Sequence, residues 1–242
     1  MMTPLSVVVL IMATAMIWLL RQTVNVKPWT EEGPLEGAAS GISFRRPPAT
    51  VALGVFLAVA TSLFVLTICA YFMRMMAADW RTLIFPGVLW LNTGLLAASD
   101  VAMHSARTAV RQGRLERTRT GLAAGGVASF GFLAGQVWAW LQLNSSGYFA
   151  SDPGSAGAVS AGPANSFFYL FTALHGVHVL GGLWVWGRTT ARAWRGGQET
   201  ARIRLSVELC ALYWHYLLVV WLVLLALLVP AVSELCRGHL SF

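Results

Sequence analysis

Apolar residues run through the chain in six long stretches, separated by short polar intervals. They cover roughly Leu5–Leu20, Val51–Met73, Leu83–Ala106, Gly121–Leu143, Phe167–Gly187 and Leu205–Val229. Crossing about 30 Å of hydrocarbon takes about 20 mostly apolar residues in helical conformation. Each stretch therefore predicts a transmembrane helix. The first is short, with Trp18 as an interfacial anchor, and the third carries Asp100 and His104 in its second half. The runs are continuous and lack the alternation of about ten residues that marks the strands of an outer-membrane barrel. The expected fold is an all-α integral membrane protein with six transmembrane helices. Residues 1–50 form an N-terminal anchor and linker, and residues 51–242 a five-helix membrane domain.

Composition agrees with this pattern. The 242 residues are 57% hydrophobic and only 11% charged, where a soluble domain carries about 25% charged residues. So few charges cannot cover a water-facing surface. A soluble enzyme and a nucleic-acid module with a basic patch are both excluded. The three cysteines, Cys69, Cys210 and Cys236, form neither a CxxC nor a CxxCH motif. No disulfide framework, thiolate zinc site or covalent haem attachment follows from them.

The net charge of +7 is topological. Of the 17 basic residues, 14 lie in alternate loops. These are the intervals after the first stretch (Arg21, Lys27, Arg45, Arg46), after the third (Arg107, Arg111, Arg114, Arg117, Arg119) and after the fifth (Arg188, Arg192, Arg195, Arg202, Arg204). Basic loops stay on the cytoplasmic side. Six helices with both termini outside, in a bacterial inner membrane, satisfy this alternation. No basic residue precedes Leu5, whereas Arg21 and Lys27 follow the first stretch. That order predicts a retained anchor rather than a cleaved signal peptide. Pro28, Pro34, Pro47 and Pro48, with Glu31, Glu32 and Glu36, mark the following segment as a cytoplasmic linker.

Ionisable residues at membrane depth are costly and are weighed first as functional. In the fifth stretch His175 and His178 are three apart and share a helix face. Gly176, Gly181 and Gly182 beside them leave room for a neighbouring helix. In the sixth, Glu208 and His215 are seven apart and also share a face. His178 lies ten residues from Arg188 and His215 eleven from Arg204, both about 15–16 Å deep. The two imidazoles are expected to face each other near mid-membrane. Such a pair serves as axial ligands of a b-type haem, as part of a proton path, or as a hydrogen-bonded seam between helices. Tyr213 and Trp214 crowd the spot, which favours the seam. Asp100 and His104, four apart, are expected either to take up protons or to form an ion-paired helix end with Arg107 and Arg111. Gln136 is expected to bond a neighbouring helix, and Trp138 and Trp140 to sit in the interfacial belt. No P-loop, GxGxxG or HExxH motif is present.

Two of these segments resemble a known family. Ser166-Phe-Phe-Tyr-Leu-Phe-Thr172-Ala-Leu-His175-Gly-Val-His178 resembles the most characteristic segment of subunit III of haem–copper oxidases. Val207-Glu208-Leu-Cys-Ala-Leu-Tyr213-Trp214-His215-Tyr216, followed by Val219-Val-Trp221, is similar to that family's last helix. Phe56-Leu57-Ala58, Tyr71, Arg74, Leu91-Asn92-Thr93 and His104 match its preceding helices. The resemblance runs from about Val51 to Val229 and leaves the first fifty residues outside.

It implies a non-catalytic membrane subunit that carries no cofactor of its own. Haem and copper belong to the partner subunits. The expected partners are subunit I as the main contact, subunit II, small subunits and bound phospholipid, with support of proton uptake as the role. Cytochrome c oxidase is the first expectation. A quinol oxidase, a nitric oxide reductase and a stand-alone b-haem protein are the alternatives. His175, His178, Glu208, Trp214, His215, Asp100 and His104 would be structural, helix-seam or lipid-shielding positions.

The chain departs from the family pattern at two places. Buried acids usual in the family are replaced by Ala60 in the opening core helix and Leu218 in the last. Losing an unpaired buried acid lowers the insertion cost by about 2.5–3.5 kcal/mol. Asp100, on a different helix, is the candidate substitute.

Overall fold

A computed structural model describes residues 47–77, 87–145, 163–195 and 200–229. All of its regular structure among the described residues is helical. The helices are α1 (Pro48–Met75), α2 (Val88–Arg111), α3 (Leu115–Ser145), α4 (Pro163–Arg195) and α5 (Thr200–Leu228). The expected first helix, Leu5–Leu20, and the linker after it as far as residue 46 lie outside the described residues, whereas Pro48–Thr50, expected in the linker, already belong to α1. Four helices are long and apolar enough to cross a membrane: α1, α3, α4 and α5. In α2, Asn92, Thr93, Ser99, Asp100 and His104 dilute the apolar character.

Several helices run beyond the apolar stretches. α4 begins at Pro163, four residues before Phe167, and continues to Arg195. α1 likewise begins on a proline, Pro48. Proline suits a first helical turn because its missing N–H has no partner to lose there. Hydropathy sees only the hydrocarbon part of a helix, so the polar outer turns go unmarked.

The chain divides into two compact units, residues 1–70 with residue 242, and residues 71–241. In the first, the described part is the body of α1. Its hydroxyls bond within the helix: Thr61 Oγ1 donates to the Leu57 carbonyl at 2.7 Å, and Thr67 Oγ1 to Leu63 at 2.9 Å. Such back-bonding gives a hydroxyl in an apolar helix an acceptor within one turn.

In the second unit four helices close a ring. α2 packs against α3 and α5, and α4 packs against the same two. α2 and α3 form a hairpin joined by Gln112, Gly113 and Arg114. Gly113 takes φ +71°, a conformation open to glycine at little cost. Gly113 N–H bonds the Val110 carbonyl and Arg114 N–H the Ala109 carbonyl, which satisfies the last carbonyls of α2 as a Schellman turn. The hairpin is closely seated. A Cβ on Gly121 would lie 2.9 Å from Ala106 Cβ and 3.0 Å from the Ala102 carbonyl. The interior faces are regular, with Leu89, Asn92, Leu96, Ser99, Met103 and Ala106 buried on α2. On α5, Val207, Cys210, Trp214, Leu217, Trp221 and Leu224 are buried at spacings of three and four.

Candidate functional site

The polar side chains at membrane depth are gathered where the helices of the ring meet. His175 on α4 is completely buried. Its Nε2 lies 3.0 Å from the main-chain carbonyl of Leu217 on α5. A carbonyl only accepts, so Nε2 carries the proton and donates. The ring packs beside Phe132 of α3 (centroids 5.6 Å) and Trp221 of α5 (5.1 Å). Phe132 and Trp221 meet edge to face at 5.0 Å and 89°, a favoured aromatic geometry. One imidazole thus joins α4 to α5 and shares a cluster with α3.

His178 lies one turn further along α4 and bonds within its own helix, its Nδ1 donating to the Leu174 carbonyl at 2.7 Å. Its main-chain carbonyl accepts from Tyr213 Oη on α5 at 2.8 Å. Of the three glycines nearby, Gly182 lies under the Tyr213 ring, whereas Gly176 and Gly181 have open space beside them.

The structure corrects the expected meeting of His178 with His215. Trp214 points into the ring, and His215, 100° further round α5, points outward. His215 Nδ1 bonds Asp100 Oδ2 on α2 at 3.2 Å. The depths of the two histidines match, but their directions around the ring do not. His178 Nδ1 and His215 Nδ1 are therefore each engaged elsewhere. Among the described residues no group of three or more His, Cys, Asp or Glu could hold a metal ion.

Glu208 and His215 do share a face of α5, and both reach α2. Arg111 Nε donates to Glu208 Oε1 at 2.7 Å, and Arg204 Nε to the same oxygen at 3.2 Å. The acid and the bases of the α2 end thus pair across to α5, rather than along α2 as expected. His104 is exposed, and Arg107 Nε is buried with no hydrogen-bond partner among the described residues. Gln136 and Asn92 are buried inside the ring, and their amide atoms likewise lack a partner among the described residues.

A further set of contacts has no counterpart in the sequence reading. Ser99 on α2 and Ser129 on α3 are both fully buried, with hydroxyls 2.7 Å apart. Trp214 Nε1 on α5 donates to Ser129 Oγ at 2.9 Å. Three helices meet at that hydroxyl. Trp221 Nε1 donates to Thr93 Oγ1 at 3.0 Å, joining α5 to α2. Trp140 Nε1 donates to Thr172 Oγ1 at 3.0 Å, and Trp186 Nε1 to the Leu122 carbonyl at 2.9 Å, joining α3 to α4 twice. Trp140 thus ties two helices, and Trp138 is exposed. Tyr71, at the end of α1, donates to the Leu227 carbonyl at 3.0 Å. The one available signal was the spacing of Trp214 and Trp221 with Leu217 and Leu224, which turns both indoles inward.

These observations define a polytopic helical membrane protein whose bundle is tied by indole, imidazole and hydroxyl hydrogen bonds. The family model for cytochrome c oxidase subunit III matches residues 5–229. The chain belongs to that family. The match begins at residue 5, so the first stretch and the linker fall inside the family region rather than outside it.

A cytochrome c oxidase subunit 3 from Synechocystis is 28% identical over 145 residues, 60% of this chain and 56% of its own length. One from Thermostichus vulcanus is 29% identical over 138 residues, 57% of this chain and 63% of its own. A probable cytochrome c oxidase subunit 3 from Mycobacterium leprae is 41% identical over 63 residues, 24% of this chain and 29% of its own. The chain spans less than two thirds of the length of these curated relatives.

Proposed function

We propose that the chain is the non-catalytic subunit III of a proton-pumping haem–copper terminal oxidase, of the cytochrome c oxidase type. The family match over residues 5–229 carries this reading. The geometry is consistent with it, because the polar groups at membrane depth hold helices together. A scaffold needs such ties, whereas a redox carrier needs paired ligands aimed at one atom.

In this reading six helices cross a bacterial inner membrane with both termini periplasmic. Residues 1–50 are an anchor and linker, and residues 51–242 the five-helix domain. Subunit I is the main contact, with subunit II and small subunits nearby and phospholipid between helices. Haem and copper reside in the partners. His175, His178, Glu208, Trp214, His215, Asp100 and His104 act by fixing the bundle's shape. A bundle of fixed shape keeps lipid and water ordered around the proton-uptake side of subunit I.

The test is a tagged pull-down from native membranes in mild detergent, with co-purifying chains identified by mass. Recovery of a large haem-bearing subunit with a copper-binding subunit is the expected result. Recovery of the chain alone, or with components of a reductase or transporter, sinks the reading.

A further inference from the structure

One layer of the ring holds polar groups that the surrounding helices leave unmet. Asn92 on α2 and His175 on α4 are fully buried, and Gln136 on α3 is 4% exposed. Both amide atoms of Asn92, both of Gln136 and Nδ1 of His175 lack a hydrogen-bond partner among the described residues. The three side chains come from three helices, and contacts between those helices place them at one level. The Asn92 carboxamide lies on Gly135 of α3, so closely that a Cβ there would collide with it. Gln136 is the next residue. Thr93, beside Asn92, accepts from Trp221 Nε1. The Trp221 ring stands 5.1 Å from the His175 ring and 5.0 Å from Phe132. Phe132 is about one turn from Gln136 on the buried side of α3.

The two amides do not pair with each other, and their placement gives the reason. Asn92 takes up the space that Gly135 leaves open. The Gln136 side chain leaves α3 about 100° further round. His175 Nδ1 is a bare acceptor, because Nε2 holds the proton of the ring and donates it to Leu217. The unmet set is therefore two amide donors and three acceptors. The amides are uncharged, and so are their neighbours Thr93, Phe132 and Trp221. A metal ion or an anion would engage one half of each amide and leave the other half unmet. The set calls for a small neutral molecule that donates and accepts at once. Buried water is held by two to four polar partners, and this layer supplies five polar atoms.

We infer that Asn92, Gln136 and His175 form a binding site for ordered water inside the four-helix ring. The water gives the amides the partners that α2, α3 and α4 do not provide. It leaves this layer hydrated although it is sealed from the membrane. The inference concerns the bundle itself and holds whichever chains accompany it, so it stands or falls apart from the subunit reading.

X-ray radiolysis tests it on the protein purified from native membranes in mild detergent, with the chains that accompany it. Hydroxyl radicals formed from a bound water oxidise the side chains next to it, buried or not. Radicals from bulk solvent reach only exposed side chains. Trp221 and Trp214 are the comparison. Both lie on α5, both are at most 1% exposed, and both donate their indole N–H to a hydroxyl. Trp221 borders the layer, and Trp214 lies about two turns away. Mass spectrometry of the peptides gives the oxidation rate of each.

Trp221 is expected to be oxidised several-fold faster than Trp214. In the double variant Asn92→Leu with Gln136→Leu that excess should disappear. Equal rates in the unaltered protein overturn the inference, as they would if the amides turned to bond each other directly. An excess that survives in a folded double variant overturns it as well. Should the double variant fail to fold, the comparison of the two indoles in the unaltered protein decides.

Discussion

His175 Nε2 donates to the main-chain carbonyl of Leu217 across the α4–α5 contact, 3.0 Å away. A helix carbonyl already accepts from the amide four residues on, and the imidazole uses its second lone pair. The tie thus joins two helices without breaking the ladder of either. The ring also fills the space beside Phe132 and Trp221. The two contributions can be separated. His175→Phe keeps the ring and loses the donor, and should cost about 0.6–1.7 kcal/mol. His175→Ala loses both and should cost about 3 kcal/mol or more. Unfolding of the purified protein in mild detergent, followed by tryptophan fluorescence, reads both. Equal losses would mean that the hydrogen bond alone matters.

Ser129 Oγ receives Trp214 Nε1 and faces Ser99 Oγ. Substitutions within such a node do not add. Ser99→Ala and Ser129→Ala, made singly and together, should give a coupling of about 0.5–1 kcal/mol in the same unfolding measurement. Additive losses would show that the two hydroxyls act apart.

Glu208 is partly exposed and is held by Arg111, the last residue of α2, and by Arg204. Ion pairs of this kind contribute modestly and are screened by salt. Glu208→Gln should cost about 1 kcal/mol or less, with the difference shrinking between low and high ionic strength. Glu208→Lys, which sets three cations together, should cost more and show the stronger salt dependence. Thermal melts in a salt series check both.

Gly121 of α3 sits directly against the backbone of α2. Its neighbours are Ala106 Cβ and the Ala102 carbonyl, and the carbonyl is backbone, which cannot swing aside. Gly121→Val should force the hairpin apart and cost about 1–3 kcal/mol. Gly94→Val, at an α2 position with nothing within 4 Å of the added carbon, should cost less. Melting temperatures of the two variants, side by side, are the measurement.

Asp100 supplies the carboxylate beside His215, and the resemblance read from the sequence assigns the family's missing acid to Leu218. Residues 215 and 218 lie one turn apart on α5 and are neighbours on its surface. Asp100→Leu, which removes the tie to His215, should therefore lower the melting temperature of the purified protein, and Leu218→Asp added to it should restore part of the loss. No recovery in the double variant, with the protein still folded, would mean that the position of the acid matters and not only its charge.

The sequence is legible where one property decides the outcome. Five of the six apolar stretches coincide with described helices, because hydrocarbon thickness leaves a segment of about 20 residues little alternative. Direction around a helix is harder. His178 and His215 have matching depths, and depth is all that a count from Arg188 and Arg204 yields. Their facing depends on which residues of α5 turn inward, and that phase is carried by Trp214, Leu217 and Trp221. Partners far apart in the chain leave no local mark at all. Trp214 finds Ser129 across 85 positions and Trp221 finds Thr93 across 128, so their indoles read only as bulk until the helices are assembled. The α2 ion pairs were misassigned for the same reason, since Arg111 has candidate partners on its own helix and its actual partner on another.

The turn at Gln112, Gly113 and Arg114 bears on how the protein reaches the membrane. α2, with Asn92, Ser99, Asp100 and His104, gains little from hydrocarbon on its own, and centrally placed polar residues are what insertion penalises. Three connecting residues tie it to α3, whose Ser129 meets Ser99 and whose Gly121 admits Ala106. A pair joined this closely is suited to enter the membrane as a single hairpin, in which α3 would cover the polar side chains of α2.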